Sequence, residues 1–169
     1  LAAAKIKHPI RSTIRDGGRI EGWAFYIEEM LLQAGLLDDK PRAREMFYIA
    51  LVARAIRIPT ELKMQSGALT LDQAIPFMIE EVPYMEKNLA RYDLEIYLRQ
   101  PTYGMNYVIG RIQLEQLLAD RAQQLGQDFD LGRFHDEFLS YGLIPISMIR
   151  WEMTGLDDQA KMLWRELRE

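Results

Sequence analysis

The sequence predicts an all-α fold, a multi-helix array, on three observations. No stretch alternates polar and apolar residues with period two for long enough to make a convincing strand. Glycines, prolines and capping residues recur at intervals that suit helix ends. An apolar share of 49% with 27% charged residues is that of a packed globular protein. At 169 residues the chain fits one domain, 1–169, able to bury about two-thirds of its unfolded surface.

The elements follow in order. Residues 1–19 hold Pro9 and Asp16-Gly17-Gly18 and read as a largely irregular lead-in. Good helix formers run from Ile20 to Ala34, and Gly35 supplies a stop. Asp38-Asp39-Lys40-Pro41 reads as a helix start, with an acidic cap and a proline in the first turn. The helix it opens, Arg42 to about Ile58, is apolar on nearly every side between Met46 and Ala53, which predicts a central position. Pro59 is expected to kink or break it.

Thr70 and Gln73 form a capping-box pattern opening a helix to about Glu81, and a further helix covers Met85 to Leu98. Pro101 restarts the chain into a long helix, about Thr102 to Gln124, which Gly126 ends. Asp130 caps a helix through Leu139 that Gly142 closes, and Pro145 and Asp157 introduce two short last helices.

Composition excludes several function classes. Without cysteine there is no disulfide, thiolate metal site or cysteine nucleophile, which suits a cytoplasm and leaves a secreted or lipoprotein parent open. A net charge of −4, with acidic and basic residues mixed, gives no footprint for nucleic acid. The longest apolar run, Met46 to Ala53, is far short of the roughly twenty residues of a membrane span. Only His8 and His135 could offer imidazole ligands, and they are far apart in sequence. The opening Leu1-Ala2-Ala3-Ala4, without an initiator methionine, favours a fragment.

Three constellations could carry chemistry. Glu21 stands at the start of the first expected helix, where a carboxylate suits the helix dipole or could be a ligand; Glu28 follows two turns on. Arg54, Arg57, Glu61 and Gln65 share one helical stripe if the helix survives Pro59. Charges emerging from an apolar run need partners, so this stripe is either an arginine–glutamate network or the wall of an active site. Tyr103, Tyr107 and Arg111 recur at i, i+4, i+8, either to stabilise an oxyanion or to pack. His135, in Phe134-His135-Asp136, is a candidate acid or base, or a structural histidine near a helix start.

Together these segments resemble a bacterial family, domain-of-unknown-function family number 885, related to the gluzincin metallopeptidases. Glu21-Gly22-Trp23-Ala24-Phe25-Tyr26-Ile27-Glu28 is similar to its EGWAxYxE signature. Arg54-Ala55-Ile56-Arg57 resembles its RAxR element, and Thr70-Leu71-Asp72-Gln73-Ala74 follows at matching spacing. Pro101-Thr102-Tyr103-Gly104-Met105-Asn106-Tyr107 through Gly110 falls where the family has PGQAxSYxxG. Leu125-Gly126-Gln127-Asp128-Phe129-Asp130, Phe134-His135-Asp136 and Gly142-Leu143-Ile144-Pro145 follow its closing pattern.

The resemblance implies a C-terminal segment of a zinc metallopeptidase-like protein. The metal would be held by a His-Glu-x-x-His helix upstream of this segment, with Glu21 as third ligand and an open position for water. Tyr107 and Arg57 would face the carbonyl or carboxylate of a peptide substrate. Its partners would be the missing N-terminal half, the peptide, and a second copy covering apolar surface left exposed. The chain departs from the family pattern: no His-Glu-x-x-His occurs, Glu61, Lys63 and Gln65 replace a DxGxH-like element, and Pro101-Thr102-Tyr103 replaces PGQ. This chain alone is therefore expected to be inactive, and the intact parent is left open to altered specificity or loss of catalysis. The runner-up is a degenerate, non-catalytic helical binding or interaction module. A third reading, a self-sufficient enzyme using His135 with Glu28 or Glu61, lacks any visible acid–base pairing.

Overall fold

Residues 8–40 and 42–166 are described by a computed structural model, so the opening Leu1–Ala4 and Pro41 lie outside the described residues. After a short 3-10 turn at Arg11–Thr13 come α1 (Gly17–Gln33), α2 (Ala43–Gln65), α3 (Leu71–Glu81) and α4 (Lys87–Arg99). Then follow α5 (Tyr103–Leu125), a 3-10 turn at Gly126–Asp128, α6 (Leu131–Ser140), α7 (Ile146–Thr154) and α8 (Asp158–Glu166). Among the described residues there is no strand, and the predicted all-helical class holds. They divide into two compact units: 24–109, and 8–23 with 110–166. The boundaries fall within α1 and α5, so each of these helices contributes to both units.

Two boundaries differ from the sequence expectation for identifiable reasons. Helix α1 begins at Gly17 rather than at Ile20, because the Asp16 carboxylate accepts the Arg19 N–H at 2.7 Å and caps it. Glu21 is therefore in the second turn, and the first turn of α1 holds no acid. Helix α2 runs through Pro59 without ending. The proline removes one backbone donor, while Thr60, Glu61 and Met64 just beyond it are buried, and the Thr60 hydroxyl donates to the Ile56 carbonyl at 2.7 Å. Burial of the following turn outweighs one lost hydrogen bond, and the Arg54–Gln65 stripe is continuous.

The unit built from 24–109 packs α2, α3 and α4 on one another. Its core gathers Met64, Ala74, Ile75, Met78, Leu94 and Tyr97, all under one-tenth exposed. Helix α3 opens with the predicted capping box, in which the Thr70 hydroxyl accepts the Gln73 N–H at 3.4 Å and the Gln73 side chain accepts the Thr70 N–H at 2.9 Å. The apolar run Met46 to Ala53 is not sheathed as predicted. Phe47 is buried, but Met46, Tyr48 and Val52 are exposed.

In the other unit Leu114, Leu117, Phe134, Phe138, Ile146 and Ile149 are buried. Asp130 caps α6 by accepting the Arg133 N–H at 2.7 Å, and Gly142 follows α6 at φ +81°. Arg150 is nearly buried and is held by Asp120 at 2.7 Å and Asp158 at 2.5 Å. Helices α1 and α5 cross here at backbone contact. A Cβ placed on Gly110 would lie 2.0 Å from the Gly18 carbonyl oxygen, and one on Gly22 would lie 2.3 Å from the Gly110 carbonyl carbon. Only hydrogen fits at Gly22 and Gly110.

Candidate functional site

The α2 stripe organises the 24–109 unit. Arg54 donates from both terminal nitrogens to Glu28, at 2.7 and 2.9 Å, a bidentate pair. One turn on, Arg57 Nη2 donates to Asp93 at 2.6 Å. The Tyr107 ring lies between these cations, with each guanidinium carbon 5.5 Å from its centroid; Arg54 also sits 4.7 Å from the Phe25 ring. The Tyr107 hydroxyl is 3.0 Å from that of Tyr103. Burial works against the Arg57 charge, but Tyr97, Asp93 and Tyr107 raise its pKa by more, so it stays cationic.

Glu61, fully buried, is placed differently from its neighbours on the stripe. Its carboxylate accepts the Thr102 N–H and, at 3.3 Å, the Met105 N–H, so α2 supplies the cap for the first turn of α5. Thr102 is held at φ +77°, a conformation that a β-branched residue adopts only under constraint. A Cβ on Gly104 would approach the Glu61 carboxylate to 2.8 Å, so glycine is needed where that carboxylate meets the helix end. Burial pushes the Glu61 carboxyl above the ordinary carboxylate range, and the N–H donors of Thr102, Met105 and Gly104 lower it in part. Beyond it, Gln65 donates to the Tyr97 carbonyl at 3.0 Å.

Arg54, Arg57, Asp93 and Tyr107 line a trough of about 780 Å³. Met46, Ile49, Ala50 and Ala53 of α2 form one apolar wall, and Val82, Pro83, Met85 and Leu89 form another. Tyr84 also lines it, 91% exposed and at φ +61°. The volume falls in the usual range for small-molecule sites, and the mixture of apolar walls with a few convergent polar groups is typical of them. Guanidiniums already oriented by carboxylates can hold a carbonyl or carboxylate oxygen without first being ordered.

The remaining candidates belong to the other unit. Glu21 is half-buried on α1. His135 packs edge-on against Trp23, with centroids 5.4 Å apart, and burial lowers its pKa against the opposing pull of Asp136. Arg19, a buried residue absent from the sequence expectations, has its guanidinium 3.9 Å from the Phe138 ring centroid. Burial holds its pKa down to about 10, opposed by Asp16. The structure thus brings Arg57 and Tyr107 together in one unit and places Glu21 and His135 in the other. Among the described residues no three His, Cys, Asp or Glu side chains converge to hold a metal ion. The described residues do not by themselves make a zinc site.

Asp93 is a further site residue that the sequence reading did not single out. Asp93 had a signal: it sits on the buried stripe Ala90, Asp93, Leu94 and Tyr97 of α4, where an acid requires a cationic partner.

Residues 3–153 match the model of a family described as bacterial protein of unknown function (DUF885). The chain belongs to that family. No curated protein matches this DUF885 member. It is similar to the crystal structure of a candidate lipoprotein from Colwellia psychrerythraea, with 25% identity and a TM-score of 0.75 over 85% of this chain. The match spans 24% of that longer protein. Among the described residues no helix is long and apolar enough to cross a membrane.

Proposed function

We propose that the trough binds peptide, and that this chain supplies one wall of a peptide-hydrolysing cleft in a longer protein. The observation that carries the reading is the convergence of Arg57 and Tyr107 on one apolar trough, each already held in place by Asp93, Tyr103 or the other. Arg57 would hold a substrate carbonyl or carboxylate, and the Tyr107 hydroxyl, positioned by that of Tyr103, would add a donor beside it. Glu21 as the third ligand of a zinc in the intact protein follows from the family resemblance alone. For His135, packing against Trp23 favours a structural role over acid–base work. A lipoprotein parent belongs to the same proposal, since the C. psychrerythraea protein carries that description.

The runner-up, a non-catalytic binding module, draws support from the pairing of Arg54 with Glu28 and of Arg57 with Asp93, as in a structural network. The full-length parent separates the two. On the leading reading it holds zinc, loses it on Glu21→Gln, hydrolyses peptides, and slows on Tyr107→Phe with its zinc retained. A parent that binds peptide yet holds no zinc and cleaves nothing establishes the module instead.

A further inference from the structure

We propose that the trough selects peptides by their free C-terminal carboxylate and an apolar last side chain. The inference rests on the peptide-binding reading above and names the end of the chain that is recognised. The trough lining carries more cations than acids, Arg42, Arg54 and Arg57 against Glu45 and Asp93, and Arg54 and Arg57 both lie 5.5 Å from the Tyr107 ring centroid. Asp93 engages Arg57 through Nη2 alone. A planar fork carries five donors, so a guanidinium oriented by one carboxylate keeps donors for a second. A cationic fork beside that ring favours a carboxylate over a neutral amide.

The walls define the rest of the ligand. Met46, Ile49, Ala53, Met85 and Leu89 give the trough apolar surface suited to an aliphatic or aromatic side chain, with Arg42 and Glu45 beside it on the lining. Glu45 and Arg57 are separated by about 18 Å along α2 at the helical rise per residue. An extended segment of about five residues spans that length. A free peptide end is preferred over a chain interior because only the end carries an anion to match the guanidinium charge.

The test is binding of two probes to this chain by calorimetry: acetyl-Ala-Ala-Leu with a free carboxylate, and the same peptide as its C-terminal amide. The acid is expected to bind at least tenfold more tightly, and acetyl-Ala-Ala-Gly acid to bind more weakly than the leucine peptide. Met46→Glu, at a side chain 63% exposed and so tolerant of change, places an anion in the wall and is expected to weaken the acid tenfold. Arg57→Lys keeps the charge but removes the fork, and should erase the preference for acid over amide. Acid and amide binding within twofold overturns the end-group selection while leaving peptide binding intact. No binding of either overturns both.

Discussion

Replacing Gly110 by alanine tests the packing that builds the 8–23 and 110–166 unit. The added Cβ would lie 2.0 Å from the Gly18 carbonyl oxygen, 2.7 Å from its carbon and 2.9 Å from Gly22 Cα. All three are backbone atoms, so no side chain can swing aside. Restoring ordinary contact means moving α1 and α5 apart by more than 1 Å, roughly, at a place where interiors are close-packed. Overpacking of this kind costs about 1–3 kcal/mol, with a backbone-to-backbone clash at the upper end. Against it, alanine gains about 1 kcal/mol of helix propensity over glycine. The net is about 2 kcal/mol of destabilisation, or a fall in melting temperature of about 4–8 °C for a chain of this size. Gly132→Ala is the control, since its Cβ would meet only the Asp130 carboxylate oxygen, at 3.3 Å. It is expected to be near neutral. Thermal denaturation followed by circular dichroism reads both. A Gly110→Ala protein melting within about 1 °C of the parent would refute the close crossing.

Other consequences follow from the polar groups. Removing the buried Glu61 carboxylate with Glu61→Ala leaves the partly buried N–H groups of Thr102 and Met105 without their acceptor and should cost about 1–3 kcal/mol in chemical denaturation. Because the folded Glu61 pKa is raised, its contribution is fully present below the unfolded value near 4.5 and is lost as pH rises through the folded one. The stability of the parent relative to Glu61→Gln should therefore increase as pH falls from 7 toward 4.5. His135 should titrate below its ordinary 6.5 in an NMR series. Stability from keeping it neutral is present above 6.5 and is lost as pH falls through the folded value, a component that His135→Gln removes. Asp93→Asn should cost about 2 kcal/mol, less than a fully buried pair because both partners keep some exposure. Arg91→Ala, which breaks the surface pair with Glu95, should change stability by less than about 0.5 kcal/mol.

Local chemistry made most helices legible. Thr70 with Gln73 marks α3, Asp130 marks α6, and both act as caps in the structure. Asp16-Gly17-Gly18 was read as part of an irregular lead-in, but the Asp16 carboxylate accepts the Arg19 N–H and starts α1 at Gly17. Pro59 was expected to kink or break α2, yet the helix continues because the buried turn beyond it, holding Glu61 and Met64, is fixed by tertiary packing that local propensity does not record. The stripe from Arg54 to Gln65 was visible as spacing, but its partners Glu28, Asp93 and the Thr102 N–H lie 26, 36 and 41 positions away. Spacing on one helix identifies a polar face; which residues neutralise it is a property of the fold.

The most direct test of the account is an NMR titration of this chain with acetyl-Ala-Ala-Leu acid, observing the Arg57 Nε–H, the Tyr107 ring and the Met46 methyl. The account predicts that these signals shift together and saturate at one ligand concentration, while those of Trp23 and His135 stay in place. Shifts confined to the 8–23 and 110–166 unit, or none at any concentration, would contradict it.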